Sequence, residues 1–213
     1  MPHRAIASAL LEIEAVVFRP NQPFTFKSGL VAPVYVDNRK LPYHPAAWHL
    51  VIEGLRALVA QHKLPVQVIA GVEAAGIPHS AALGYRMGLP SIFVRKAAKA
   101  HGRQQAIEGG PVTGKRTLLV EDMVTTGGSS LAAIQVLREA GAIADVCLCI
   151  TTYGFASTRQ RFVESGVMLN PLVKFNVILE VAREQGHFAA EAQTIVEDWL
   201  SDPAGWAQRH GFA

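Results

Sequence analysis

Residues 116 to 130 read Arg-Thr-Leu-Leu-Val-Glu-Asp-Met-Val-Thr-Thr-Gly-Gly-Ser-Ser, an apolar run joined to two adjacent carboxylates and then to a string of small residues. The residue types and their order suit a phosphorylated sugar. Glu121 and Asp122 can accept hydrogen bonds from ribose hydroxyls, and the backbone N–H groups from about Thr125 to Ser129 can converge on a phosphate at the positive end of a following helix. Gly127 and Gly128 let the backbone approach closely, while Thr125, Thr126, Ser129 and Ser130 add hydroxyl donors. Any strand-to-helix turn can carry Gly and Ser, and paired acids can cap a helix. Here the acid pair, two threonines, two glycines and two serines follow in fixed order at a strand's carboxyl end, which favours the ligand-binding reading. No Gly-Lys-Ser or Gly-Lys-Thr closes the loop, and it is not a Gly-x-Gly-x-x-Gly turn, so it is neither a nucleotide P-loop nor a dinucleotide fingerprint.

A second chemical signal is the segment holding Arg95, Lys96, Lys99, His101 and Arg103 without one acid. A nucleic-acid arm would be longer and interleaved with aromatics, so a small polyanion is the better partner and no nucleic acid is expected. The whole chain carries only +3. Its 213 residues, half of them apolar, suffice for one domain spanning 1–213 with a small appendage. No 18-residue uncharged stretch exists, so no membrane span is expected. The first residues read as an amphipathic helix with acids in it rather than a signal peptide, which points to the cytoplasm. Cys147 and Cys149 fall on one face of a predicted strand, too close for an ordinary disulfide, and read as core thiols.

These groups must be positioned by alternating strands and helices. Apolar runs at 66–70, 91–94, 117–120 and 146–151 read as strands buried on both faces, and 45–60, 77–87 and 131–140 as helices. Such alternation implies a mostly parallel sheet flanked by helices, with ligands at the carboxyl ends of the strands. Residues 24–37 read as two short strands around a Ser28-Gly29 turn, 98–114 as a mobile loop, and 188–200 as an amphipathic helix. Trp199 and Trp206 are expected to cover the core or meet a partner.

The 116–130 loop resembles the phosphoribosyl pyrophosphate (PRPP) signature of the type I phosphoribosyltransferases. Three further segments narrow the resemblance to the orotate phosphoribosyltransferase family: Phe24-Thr25-Phe26-Lys27-Ser28-Gly29 with Pro33-Val34-Tyr35-Val36-Asp37, the basic stretch from Arg95 to Gly102, and Ala74-Ala75-Gly76-Ile77-Pro78. The similarity runs from about residue 8 to about residue 182. It implies the type I phosphoribosyltransferase fold with a small N-terminal hood, formed mainly by about 1–40 with a C-terminal contribution. It also implies transfer of phosphoribosyl from PRPP to orotate with magnesium held mainly by PRPP rather than by protein ligands.

By residue match the resemblance places Lys99, His101 and Asp122 in catalysis. It places Arg95, Lys96, Lys99, His101, Glu121, Asp122, Met123, Val124, Thr125, Thr126, Gly127, Gly128 and Ser129 around PRPP, and Lys27, Tyr35, Val36 and Thr125 around orotate. It further implies a homodimer in which Arg95, Lys99 and His101 complete the partner's site. Two departures stand out: Ala75 where some members have a lysine, and Tyr153-Gly154 where some have an orotate-binding arginine. Lys27 or Arg39 is then expected to meet the orotate carboxylate. Glu121 is longer than the aspartate of many relatives, so Asp122 is expected to make the closer ribose contact. A purine or uracil transferase would share the PRPP loop but not the other motifs, and a PRPP-sensing regulator would need a nucleic-acid-binding segment that has no room before residue 20.

Overall fold

A computed structural model describes residues 3–26, 28–96, 106–188 and 190–212. Lys27, Lys99 and His101 therefore lie outside the described residues. The central sheet is built from β5 (Val68–Val72), β6 (Ser91–Val94), β7 (Ile107–Glu108), β8 (Arg116–Val124), β9 (Ile143–Thr152) and β10 (Met168–Lys174), in the order β10-β9-β8-β5-β6-β7. All neighbours are parallel except β7, which runs antiparallel to β6. The mostly parallel α/β architecture is thus present, and β7 shows that part of the stretch read as a loop is sheet edge.

The helices on its faces follow from the sequence pattern. α2 (Pro45–Gln61) opens on a proline at its first turn, where the missing N–H costs nothing. α6 (Phe175–Glu184) buries Phe175, Ile178, Leu179 and Ala182 along one stripe and packs on α1 (His3–Glu12), whose Ile6 and Leu10 are fully buried. α4 (Gly128–Glu139) and α5 (Ala156–Glu164) follow β8 and β9. Alternation along the strands sorts two cores: Leu118, Val120, Leu148 and Ile150 face the cluster with α1, α2 and α6, while Leu119, Cys147 and Cys149 face the cluster holding Ile134, Leu137 and Phe162. Both cysteines are buried free thiols, as the spacing implied.

Strand order reverses between β5 and β8, because the chain leaves β5 through α3 (Gly76–Met87) to β6 on one side and later lays β8 on the other. A crevice opens at such a switch point, beyond the carboxyl ends of the two strands. α3 starts hard against both strands. A side chain at Gly76 would place its Cβ 2.7 Å from the Val120 carbonyl, so only glycine fits.

Beside this crevice lie two small antiparallel pairs, β1 (Val16–Phe18) with β4 (Val34–Val36), and β2 (Phe24–Thr25) with β3 (Val31–Ala32), the second pair closing around the Ser28-Gly29 turn. α7 (Ala190–Ser201) and α8 (Trp206–Arg209) cover them from the C-terminal end. Trp199 and Trp206 are fully buried, and Trp199 Nε1 donates to the Val31 carbonyl at 2.9 Å. Of the two roles left open for these tryptophans, the chain itself shows core cover, and truncating a buried Trp costs on the order of 3–5 kcal/mol.

Candidate active site

β8 runs four residues beyond the apolar run read as a strand, through Glu121 and Asp122 to Val124. Its extension pairs with β9, Glu121 opposite Cys149 and Met123 opposite Thr151. Successive strand residues point to opposite faces, so the two carboxylates diverge. Asp122 faces a crevice of about 530 Å³ that also takes in Met123, Thr125, Thr126, Tyr35, Val36, Arg39 and Lys96. Glu121 is buried on the α4 side, where its Oε1 accepts from Ser129 Oγ and Ser130 Oγ, both at 3.2 Å. Val124 is a core residue and does not line the crevice. Ser129, Arg95 and Lys96 instead border an adjoining hollow of about 290 Å³, and Lys96 reaches both spaces.

The acid strand is held from the N-terminal segment. Asn38, fully buried, donates from Nδ2 to the Asp122 carbonyl at 2.7 Å and to Thr151 Oγ1 at 2.9 Å. A buried amide with both donors used fixes the strand's end more firmly than apolar packing, because leaving those groups unpaired costs about 1–3 kcal/mol each. On the other rim, the Lys96 backbone N–H donates to Glu73 Oε2 at 3.0 Å, tying the basic segment to the turn before α3. Arg95 pairs with Glu108 at 3.2 Å.

One wall is aromatic. Tyr153, nearly buried, lies parallel to Phe26 with centroids 6.3 Å apart and to Phe155 at 5.6 Å, and is met edge-on by Trp199 at 4.8 Å. Tyr35 packs against Phe24 at 5.3 Å and Phe26 at 6.0 Å. The residue at the place of a relative's arginine is thus an apolar face, suited to a planar ring. Arg39 holds Asp37 through two bonds, Nε to Oδ1 at 2.6 Å and Nη2 to Oδ2 at 2.9 Å, and Nη2 also donates to Tyr35 Oη at 3.2 Å. That bond to Arg39 holds Asp37 below the usual carboxylate range. Asn38 carries no site signal of its own in the sequence; only the fold brings it here. The fully buried His79 accepts from Trp48 Nε1 at 3.0 Å and is pushed down by burial to about 4, which marks it as a neutral core residue.

Burial, and next the charge of Asp122, push Glu121 up to about 7, while burial pushes Asp122 up to about 6. A carboxyl group raised in the folded state binds more protons there than when unfolded, over the interval between its two values. The Glu121 contribution therefore leaves stability highest below about 4.5 and lowers it as pH rises towards about 7. Thermal melts of ligand-free protein across that interval are expected to show a shallower fall in Glu121→Gln than in the parent. Equal slopes would contradict the assignment.

Residues 45–164 match the family model described as the phosphoribosyl transferase domain, the class that this strand order and this loop define. The chain is 39% identical to the orotate phosphoribosyltransferase of Staphylococcus saprophyticus, covering 92% of this chain and 97% of that protein. Among solved structures, the orotate phosphoribosyltransferase of Aeropyrum pernix superposes with a TM-score of 0.75 at 28% identity, over 86% of this chain and 99% of that one. Leishmania donovani UMP synthase gives a TM-score of 0.81 at 29% identity, over 94% of this chain but 42% of that longer one. The chain belongs to the orotate phosphoribosyltransferase family.

Proposed function

We propose that this protein transfers the 5-phosphoribosyl group of PRPP to N1 of orotate, releasing pyrophosphate and forming orotidine 5'-monophosphate for UMP synthesis. The observation that carries this is the single crevice where Asp122 and the 125–126 loop meet the Tyr35–Tyr153 aromatic wall, with Lys96 on the rim. The ribose hydroxyls lie against Asp122, the 5'-phosphate takes the N–H groups of the loop opening α4, and orotate stacks on the aromatic side. As the anomeric C–O bond breaks, its electron pair leaves with pyrophosphate, and N1 of orotate forms the new bond and gives up its proton to the departing pyrophosphate or to solvent. Positive charge builds on the ribose ring and negative charge on the leaving group. Asp122 faces the first, and Arg95, Lys96, Lys99 and His101 neutralise the second, an electrostatic task that needs water kept out.

The oxygen donors at Asp122 suit a hard cation that keeps water and substrate oxygens, so magnesium would be held mainly by PRPP with Asp122 steadying the ribose. When bound, magnesium adds charge neutralisation between pyrophosphate and sugar. The family resemblance supports a cytoplasmic homodimer in which Arg95, Lys99 and His101 serve the partner's crevice, and one domain with a hood near residues 1–40. Among the described residues no helix is long and apolar enough to cross a membrane.

Arg39 borders the crevice, and Lys27 belongs to the family-specific N-terminal segment, so one or the other meets the orotate carboxylate. Arg39→Ala and Lys27→Ala are each expected to raise the KM for orotate more than that for PRPP. Unchanged orotate kinetics in both would remove this assignment. The activity itself is tested by incubating the protein with PRPP, magnesium and, separately, orotate, adenine, hypoxanthine, guanine or uracil, and measuring pyrophosphate. Release with orotate alone is expected; release with a purine or uracil instead would identify a sibling transferase, and none with any base would fit a PRPP sensor.

A further inference from the structure

A phosphate-binding loop works only if its carbonyl dipoles, which repel an anion, turn away while its N–H groups turn inward. In this chain four successive carbonyls are each held by a donor. The Val124 carbonyl accepts from Thr152 Oγ1 at 2.8 Å, Thr125 from Thr158 Oγ1 at 2.7 Å, Thr126 from Arg161 Nη1 at 2.8 Å, and Gly127 from the Leu131 N–H at 3.0 Å. The central pair comes from α5, where Thr158, Arg161 and Phe162 share one face by their i, i+3, i+4 spacing. Phe162 completes the seat. A Cβ at Gly127 would lie 2.5 Å from its ring, and Gly127 sits at φ +78°, so the loop rests directly on this helix.

We propose that Thr158 and Arg161 are positioning residues for the sugar 5'-phosphate, fixing the loop's carbonyls outward before the ligand arrives. This rests on the phosphoribosyl transfer proposed above and extends it to α5, which holds none of the four sequence motifs. Thr158 is buried and sets one peptide; Arg161 lies at the exposed edge and holds the next, at the Thr126 carbonyl. Because α5 meets the carbonyls at 125 and 126, its effect falls mainly on the 5'-phosphate end. Pyrophosphate, facing the basic rim, does not sense it, and orotate senses it only through Thr125.

The test is calorimetric titration of Thr158→Val, Arg161→Leu and Arg161→Gln with ribose 5-phosphate and, separately, with pyrophosphate, alongside steady-state kinetics. Losing a hydrogen bond of this kind is expected to weaken ribose 5-phosphate roughly tenfold in Thr158→Val and Arg161→Leu. Pyrophosphate affinity should stay within about twofold, and the KM for PRPP should rise more than that for orotate. Arg161→Gln, which retains a donor for the Thr126 carbonyl, is expected to recover part of the loss. Unchanged ribose 5-phosphate binding in both Thr158→Val and Arg161→Leu, or equal losses for the two ligands, would overturn the proposal. Binding of ribose 5-phosphate does not require transfer to orotate, so a protein inactive on orotate that still shows the selective loss would fail the proposed function and keep this inference.

Discussion

Replacing Lys99 by alanine is expected to lower turnover about a hundredfold or more while leaving the melting temperature unchanged, because in the proposed reaction the lysine serves charge that develops only as pyrophosphate departs. It belongs to a stretch with five basic residues and no acid between Arg95 and Arg103. The stretch begins where Lys96 already borders the crevice. Since the charge is needed in the transition state more than in the bound substrate, kcat should fall and the KM for PRPP should change little. Full activity in Lys99→Ala would reject the role of this segment. If the segment serves the neighbouring subunit, mixing Lys99→Ala with a Glu121→Ala/Asp122→Ala variant should restore activity, since some mixed dimers then hold one intact site. No recovery despite verified subunit exchange would count against shared sites.

Asp122→Asn is expected to lower kcat/KM for PRPP roughly a hundredfold, the scale of losing charge-assisted hydrogen bonds to ribose hydroxyls together with a negative charge near the anomeric centre. The substitution keeps the shape, and the Asp122 carbonyl bond from Asn38 is untouched, so the strand should remain in place. Glu121→Gln is expected to cost less in transfer, because that side chain is turned to Ser129 and Ser130 instead of the crevice. A larger loss in Glu121→Gln than in Asp122→Asn, measured under the same conditions, would invert the two roles. The expected ordering follows from the strand: adjacent residues of β8 face opposite sides of the sheet, which turns Asp122 and not Glu121 to the crevice.

Much of the scaffold was legible because buried strands announce themselves as short apolar runs. The strand at Ser91–Val94 matches its reading end to end, and the helix from Pro45 extends one residue further than read. The limits were chemical. Two acids end the apolar run of β8 at Val120, yet the strand continues since β9 and Asn38 supply partners for its backbone. β10 escaped notice because it carries Asn170 and Pro171; a proline that cannot donate is tolerated there because the strand lies at the sheet's edge. β7 is only two residues long inside a glycine-rich stretch.

The site divided in the same way. The acid pair and the small residues after it are contiguous, so their chemistry could be read directly. The groups that orient them come from afar: Asn38 is 84 positions from Asp122, Thr158 33 from Thr125, and Arg161 35 from Thr126. No local pattern marks such residues, because each is ordinary in its own element and acquires meaning only through tertiary contact. Tyr153 is a similar case. At the place where some relatives carry an arginine, Tyr153 stacks with Phe26 and Phe155, and Tyr153 and Phe26 line the crevice.

The central claim is that one crevice joins PRPP to orotate. It is tested most directly by adding the protein to orotate, PRPP and magnesium and following orotate absorbance together with released pyrophosphate. The expected result is a PRPP-dependent loss of orotate matched one for one by pyrophosphate, with orotidine 5'-monophosphate as the product. Orotate left unconsumed by folded protein that binds PRPP would contradict it.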